Sequence, residues 1–388
     1  MTKQNYAAAH ANVRFSTKRY EQSPYVDKYF REDMLFGLYC RRFYPLSMGE
    51  DVIEQYWQLR RGVVMFDVPE KPLQIKGPDA ITLLERVFTR RIDTLKTWRA
   101  CYAIACTPQG GILMDGVLIR LAQDHFWYIQ ADGEFEQWLL AYAEDLDVAV
   151  SDPKSRVLQI QGPSSLELLR AAAGGVDDNF GYFHAGHFDF ADQQLLVSRT
   201  GWTGELGFEI YSAVDTDHSA LWDHLVEVGK AYDLSFSSAE AMGIRRIEAG
   251  ILDNGTDIDI SMTPYEAGLG DFVDLSKPYF VGKKALQHAH QERALFGLSC
   301  RHIAPLAGMK VKQDEAVVGR MTTGAWTPYL EMGVGFVRFK LGGDWSGREL
   351  TLLDREGNEY PAEVVDLPFY DRDKKIPRGI ETLENQPG

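Results

Sequence analysis

What the chain lacks narrows its chemistry first. Cysteine is scarce, with four in 388 residues, and Cys40, Cys101, Cys106 and Cys300 form neither a Cys-x-x-Cys pair nor a zinc-binding spacing. Cys101 and Cys106 flank a predicted strand and read as core thiols. The histidines contain no His-x-x-x-His set; His184 and His187, the close pair, read as structural or surface residues. Asp253, Asp257 and Asp259 have the composition of a cation loop but lack the glycine and terminal glutamate of a calcium-binding loop, so no metal is expected. Neither a P-loop nor a Ser-His-Asp elbow is present. No apolar run approaches membrane-spanning length, and Met1-Thr2-Lys3-Gln4-Asn5 leads into no apolar signal region, so a soluble cytoplasmic protein without a membrane partner is expected. Positive charge is short as well: 41 Lys and Arg stand against 56 Asp and Glu, a net charge of −15. That argues against nucleic acid as the main partner, because phosphates need a cationic surface.

What is present is an ordinary globular composition, 45% hydrophobic and 25% charged, in a chain long enough for two or three domains. The stretch up to about Pro24 is polar and reads as an irregular lead-in. Asp51 to Arg61 has the periodicity of a short amphipathic helix, and Val63 to Val68 that of a buried strand ended by Pro69. An internal echo follows. Leu73-Gln74-Ile75-Lys76-Gly77-Pro78-Asp79-Ala80 leads into an apolar helix, and Leu158-Gln159-Ile160-Gln161-Gly162-Pro163-Ser164-Ser165 leads into another. Both read as strand, Gly-Pro turn, cap (Asp79, or Ser164/Ser165) and helix, which suggests a pseudo-duplicated α+β body. Between the copies, strands are predicted at Cys101–Cys106, Val117–Ile119 and Phe126–Ile129, with a tight turn at Gly110-Gly111. Helices are predicted over Asp217–Ala231 and Ala239–Ile251, the second closed by Gly250. Beyond a boundary near Gly282 to Gln291, short strands at Leu295–Cys300, Ala316–Thr323, Gly333–Phe339 and Glu349–Leu353 imply a terminal barrel or sandwich.

Two acids stand out. In Arg199-Thr200-Gly201-Trp202-Thr203-Gly204-Glu205-Leu206-Gly207-Phe208-Glu209-Ile210-Tyr211, a glycine-rich bend turns into a strand with Glu209 opposite Phe208 and Ile210. A carboxylate there, with Trp202 close by, suits a flat heteroaromatic ligand, the acid accepting ring N–H donors and the aromatic covering the ring. The same pattern also fits a plain hairpin with an exposed glutamate. Asp115, between the Gly110-Gly111 turn and the following strand, is a candidate for burial and a perturbed pKa; before Gly116 it equally suits a turn. Arg245 and Arg246 point about 100° apart on a helix and cannot share one role.

The order of these motifs resembles the folate-dependent aminomethyltransferase family, the T-protein of glycine cleavage and its demethylase relatives. The matching segments include Phe66-Asp67-Val68, Ile75 to Ala80, Gly110 to Asp115, Ile160 to Pro163, Arg199 to Tyr211, Arg246-Ile247-Glu248-Ala249-Gly250, Thr263 to Gly270, Gly319 to Gly324 and Leu367-Pro368-Phe369. The resemblance implies an α+β cloverleaf: two interwoven folate-binding subdomains over 1–285 and a β-barrel over 286–388, around a central tetrahydrofolate site. It places Asp115 at the family's essential acid and Glu209 at its pterin-holding carboxylate. Tyr102, Tyr182 and Trp202 match ring-lining positions; the family's pterin-contacting arginine is missing at Met242, and Arg246, or else Arg245, is the candidate to replace it. There are departures. T-proteins typically read Asp-Val-Ser-His-Met where this chain has Asp67-Val68-Pro69-Glu70-Lys71, two adjacent acids where it has Met114-Asp115, and Ala-Arg-Asp where it has Ala241-Met242-Gly243. The Asp67–Ala80 and Ile244–Glu248 segments look more like the dimethylsulfoniopropionate demethylase branch, whereas the intact Thr200-Gly201-Trp202-Thr203-Gly204-Glu205 turn looks more like the T-protein.

The expected activity is therefore that of a tetrahydrofolate-dependent demethylase, moving a methyl group from a small sulfonium, amine or aryl ether to the pterin nitrogen. The alternative is an aminomethyltransferase, which would dock a lipoyl carrier protein; such carriers are usually acidic, and the −15 net charge disfavours that encounter. A third reading, a non-catalytic folate binder like the iron–sulfur assembly relatives, expects a Lys-Gly-Cys-Tyr motif that Lys277-Pro278-Tyr279-Phe280 does not provide.

Overall fold

A computed structural model describes residues 16–383. The expectations for the start of the chain, and most of the predicted lead-in, lie outside the described residues. After a 3-10 turn (Thr17–Arg19) and a one-turn helix (Val26–Tyr29) comes a hairpin of β1 (Leu35–Tyr39) and β2 (Arg42–Ser47). The helix Val52–Arg61 follows, its N-terminus capped by the Asp51 carboxylate accepting from the N–H groups of Ile53 and Glu54 at 2.9 and 3.1 Å. β3 (Val64–Val68) is buried along its whole length and ends at Pro69 as expected.

A five-stranded sheet comes next, built from β4 (Lys71–Lys76), β5 (Arg99–Cys106), β6 (Ile112–Ala122), β7 (His125–Gln130) and β8 (Ala149–Ser151), in the order β5-β6-β7-β4-β8. The chain then returns to β3 and builds a seven-stranded sheet from β9 (Val157–Gln161), β10 (Ala173–Gly174), β11 (Ala185–Phe190), β12 (Gln193–Ser198), β13 (Gly207–Tyr211) and β14 (Ser235–Phe236), in the order β10-β11-β12-β13-β9-β3-β14. β4 and β9 are each followed by a Gly-Pro turn and an eight-residue helix, Ala80–Val87 and Ser165–Ala172, so the echo in the sequence is a repeated unit. Gly77 and Gly162 take φ of 145° and 122°, and a Cβ on either would lie 2.6 Å from the Asp147 carbonyl oxygen or 2.4 Å from that of Gly62. Only glycine fits both the conformation and the space.

The predicted caps of these two helices need correction: neither Asp79 nor Ser164 makes a side-chain cap. The Asp79 carboxylate instead accepts from the Asp147 N–H at 2.9 Å, and Ser165 donates to the Leu206 carbonyl at 3.1 Å, so both side chains tie the turn to a neighbouring loop. Two helices are shorter than their periodicity implied. His218–Gly229 passes into a 3-10 turn, Lys230–Tyr232, and Ala239–Glu248 stops before Gly250, which takes φ of 67°.

The C-terminal strands close into a six-stranded barrel, not a sandwich. β15 (Leu295–Cys300), β16 (Lys310–Gln313), β17 (Ala316–Thr327), β18 (Met332–Phe339), β19 (Glu349–Leu353) and β20 (Glu359–Val365) run β15-β18-β17-β16-β19-β20 around the ring. Closure leaves no sheet edge to aggregate. A buried ion-pair group fixes the barrel to the rest. Arg60 pairs with Glu205 at 2.8 Å and Glu248 at 3.0 Å, and Arg245 with Glu205 at 2.7 Å. Glu248 also accepts from Tyr56 at 2.7 Å, from Tyr370 at 2.5 Å, and from Thr327 of the barrel. Removing one member would strand a buried charge, at a cost of about 3–5 kcal/mol. All four cysteines are free and buried, in agreement with core thiols. Among the described residues no helix is long and apolar enough to cross a membrane.

Candidate functional site

Asp115 does not sit in a turn. It is the fourth residue of β6, opposite Ile104 of β5, and only 7% exposed. Tyr102, on β5, donates its hydroxyl to Asp115 Oδ2 at 2.7 Å, and Asn254 donates its amide to Oδ1 at 2.9 Å. Burial raises the carboxyl above its ordinary pKa, against the lowering effect of these two donors. Both partners are neutral. The carboxyl therefore has no counter-ion among its hydrogen-bond partners, which suits a group that must gain and lose a proton. Asn254 was not singled out by sequence; Asp253-Asn254-Gly255 reads as a turn, and only tertiary packing aims its amide at Asp115.

Glu209 is buried too, 5% exposed, so the exposed-hairpin alternative is excluded. The register explains its surroundings. Ser198 on β12, Glu209 on β13, Gln159 on β9 and Phe66 on β3 pair across four adjacent strands and share one face. Glu209 Oε2 accepts from Tyr211 at 2.8 Å, from Ser198 at 3.2 Å, and from Thr200; Oε1 accepts from the Gln159 amide at 2.8 Å. Burial raises the Glu209 pKa despite these donors. The same Gln159 amide donates to Glu70 Oε1 at 3.0 Å, so one amide bridges two carboxyl groups. Gln159 has a signal in the sequence that went unused: a polar residue inside the apolar alternation of a buried strand.

The remaining predicted residues divide. Trp202 stands in the glycine-rich connection between β12 and β13 and lines a cavity of about 150 Å³ with Tyr39, Tyr44, Phe66 and Met242. Arg246 lies 5.1 Å from the Trp202 ring centre, but its guanidinium is committed to Asp257 at 2.6 Å, the Ile251 carbonyl at 3.0 Å and Thr323 at 3.1 Å. It braces Trp202 from behind. Arg245, as the helix geometry implied, faces elsewhere, into the Glu205 pair. Tyr182 is not brought to this cavity. It lines a smaller one of about 40 Å³ with Gly201, Arg245 and Tyr370, and burial pushes its phenol up to about 12.

Two large sheets and a closed barrel, with Asp115 and Glu209 buried among neutral donors, make up a three-part α+β architecture. The chain belongs to the glycine cleavage T-protein family: residues 26–277 match the GCVT N-terminal domain and residues 293–371 the glycine cleavage T-protein C-terminal barrel domain. It is 32% identical over 347 residues to a trimethylamine-oxide aldolase of Ruegeria pomeroyi, covering 84% of this chain and 44% of that protein. It is 34% identical over 246 residues to the dimethylsulfoniopropionate demethylase of the same organism, 61% of this chain and 67% of the relative. An aminomethyltransferase of Caldanaerobacter subterraneus subsp. tengcongensis is 29% identical over 338 residues, 84% and 90% of the two chains. The structure of the glycine cleavage system aminomethyltransferase T from Bartonella henselae superposes with a TM-score of 0.81 at 25% identity, covering 91% of this chain and 98% of that one.

Proposed function

We propose that the protein is a tetrahydrofolate-dependent demethylase that moves a methyl group from a small methylated compound onto the folate. The observation that carries this reading is the Asp115 carboxyl, buried without a counter-ion among its partners and held by Tyr102 and Asn254. The Glu209 row fits a pterin: among the described residues, Glu209 Oε1 accepts only from Gln159, and Gln159 Oε1 is buried without a partner, so two acceptors remain for ring N–H groups. Tetrahydrofolate, when bound, supplies the ring nitrogen that accepts the one-carbon unit. Glu209 and Gln159 would hold the ring's N–H edge and Trp202 would cover the ring, while Asp115 would take up the proton released on transfer, with Tyr102 and Asn254 steadying its charged form. Aminomethyl transfer from a lipoyl carrier is the second reading, supported by the aminomethyltransferases among the relatives.

The test is a product assay with tetrahydrofolate and a panel of sulfonium, methylated amine and aryl-ether compounds, beside a tube with aminomethyl-loaded lipoyl carrier. Appearance of 5-methyltetrahydrofolate with a methylated compound supports demethylation. Methylenetetrahydrofolate and ammonia from the carrier tube alone would replace it with the second reading.

A further inference from the structure

A second acid stands behind the Glu209 row. Gln159 is fully buried, and its side-chain nitrogen donates to Glu209 Oε1 at 2.8 Å and to Glu70 Oε1 at 3.0 Å. The two carboxyl oxygens therefore lie less than about 6 Å apart, with little solvent to screen them. Two carboxylates that close repel strongly, and one member of such a pair keeps its proton. The donors are unequally divided. Glu209 accepts from Ser198, Thr200 and Tyr211 as well as from Gln159. Among the described residues Glu70 has the Gln159 amide as its one side-chain donor, and its Oε2 is buried without a partner. Burial without a partner costs a neutral carboxyl far less than a carboxylate. The charge therefore belongs on Glu209 and the proton on Glu70.

Nearby cations are committed elsewhere. Arg42 of β2 donates to the Glu70 backbone carbonyl at 2.6 Å and lies 3.4 Å from Glu21. Lys71, the next residue, turns to Asp152 at 3.5 Å and Glu136 at 4.0 Å, and Arg246 pairs with Asp257. The other titratable groups beside Glu70 are the phenols of Tyr39 and Tyr44 on the hairpin and the acids Asp67 and Asp253. Further acids only add to the repulsion. Burial first, and the Glu209 charge second, raise the Glu70 carboxyl well above its ordinary pKa, against the pull of Arg42 and the Gln159 amide. The T-protein pattern noted above carries His at the place of Glu70, so this pairing of two acids departs from that pattern.

We propose that Glu70 and Glu209 share a single proton, resident on Glu70, and that Glu70 is thereby a positioning residue that leaves Glu209 as the one charged acceptor of the row. Gln159 joins the two, donating one N–H to the neutral carboxyl and the other to the carboxylate. A charged Glu209 accepts ring N–H groups more strongly than a neutral one, and a neutral Glu70 does not compete for them. The role toward the pterin rests on the proposed function; the shared proton itself does not.

The test is infrared difference spectroscopy of the full-length protein, joined to folding stability and tetrahydrofolate binding. Wild type minus Glu70→Gln should show the carbonyl stretch of a protonated carboxyl at neutral pH, and the band should vanish as pH rises. Glu209→Gln removes the neighbouring charge and should bring that loss to lower pH; it serves against wild type if Glu70→Gln fails to fold. The folded protein holds a proton that the unfolded chain releases, so the stability of wild type relative to Glu70→Gln should fall as pH rises. Tetrahydrofolate affinity should be unchanged in Glu70→Gln, because glutamine copies the neutral state. Absence of the band at neutral pH, or a flat stability difference, overturns the proposal. So does a loss of roughly tenfold in tetrahydrofolate affinity for Glu70→Gln, which would make Glu70 a charged pterin ligand. Failure of wild type to bind tetrahydrofolate would refute the proposed function and leave the shared proton to be decided by the spectrum.

Discussion

The two Gly-Pro units repay comparison, because they start from nearly the same residues and end in different chemistry. Gln74 in Leu73-Gln74-Ile75 and Gln159 in Leu158-Gln159-Ile160 hold the same place ahead of their turns. Gln74 lies on β4, one strand in from the edge of its sheet, half-buried, bonded to Ser151 at 3.3 Å and His125 at 2.9 Å. Gln159 lies on β9, between β13 and β3 in the middle of its sheet, fully buried, and bridges Glu70 and Glu209. Local sequence builds the same strand, turn and helix twice. The site chemistry comes from what the neighbouring strands bring alongside.

The carboxyl groups differ in the same spirit. Asp115 is held by two neutral donors from β5 and a distant loop, whereas Glu209 sits among four donors from its own sheet. The first arrangement leaves a proton easy to exchange; the second fixes an acceptor in place. Asp115→Asn should therefore show the largest effect, a fall of about 10²- to 10⁴-fold in turnover of the proposed reaction at unchanged melting temperature.

The repeated turns sharpen the comparison from the structural side. Gly77→Ala and Gly162→Ala should each destabilise by about 2–4 kcal/mol in denaturant titration, since both meet a positive φ and a carbonyl oxygen. Equal losses would show that the turns are structurally equivalent although only one stands beside the candidate site. The glutamines should separate instead. Gln159→Leu leaves two buried carboxyls without their shared donor and should cost about 1–3 kcal/mol, while Gln74→Leu should cost roughly 0.5 kcal/mol, both read by chemical denaturation. Similar losses would undo the contrast drawn here.

The last effect expected is one of pH. Burial raises the Asp67 carboxyl from its ordinary 3.8 to about 6. The folded protein therefore holds a proton that the unfolded chain releases. Its contribution to stability is full below the lower value and is lost as pH rises through about 6, up to about 3 kcal/mol for the whole shift. Wild type minus Asp67→Asn stability, followed from pH 4 to 7, should fall with rising pH; a flat difference would place Asp67 in a less buried setting.

Much of this organisation was legible in the chain. The helix after Asp51, the strand ended by Pro69, the repeated units and most barrel strands follow from periodicity and turn residues, which act locally. The burial of Glu209 and the position of Asp115 inside β6 were open, because alternating residues do not say which face meets another sheet. Local pattern alone left barrel or sandwich open, since the short strands Lys310–Gln313 and Glu359–Val365 carry weak patterns, and the expectation of a barrel came from the family resemblance. Asn254 and the second role of Glu70 depend on contacts 139 and 89 residues away in sequence, beyond any local signal. The helix caps failed for a related reason: the Asp79 and Ser165 side chains are drawn off by loops that sequence alone does not place beside them.

The central claim is a division of labour, with Glu209 holding the folate and Asp115 handling its proton. Equilibrium binding of tetrahydrofolate to Glu209→Ala and Asp115→Asn, measured side by side with wild type, tests it most directly. The account predicts a loss of about tenfold or more in affinity for Glu209→Ala and near wild-type affinity for Asp115→Asn. Full affinity in Glu209→Ala, with binding abolished in Asp115→Asn, would contradict it.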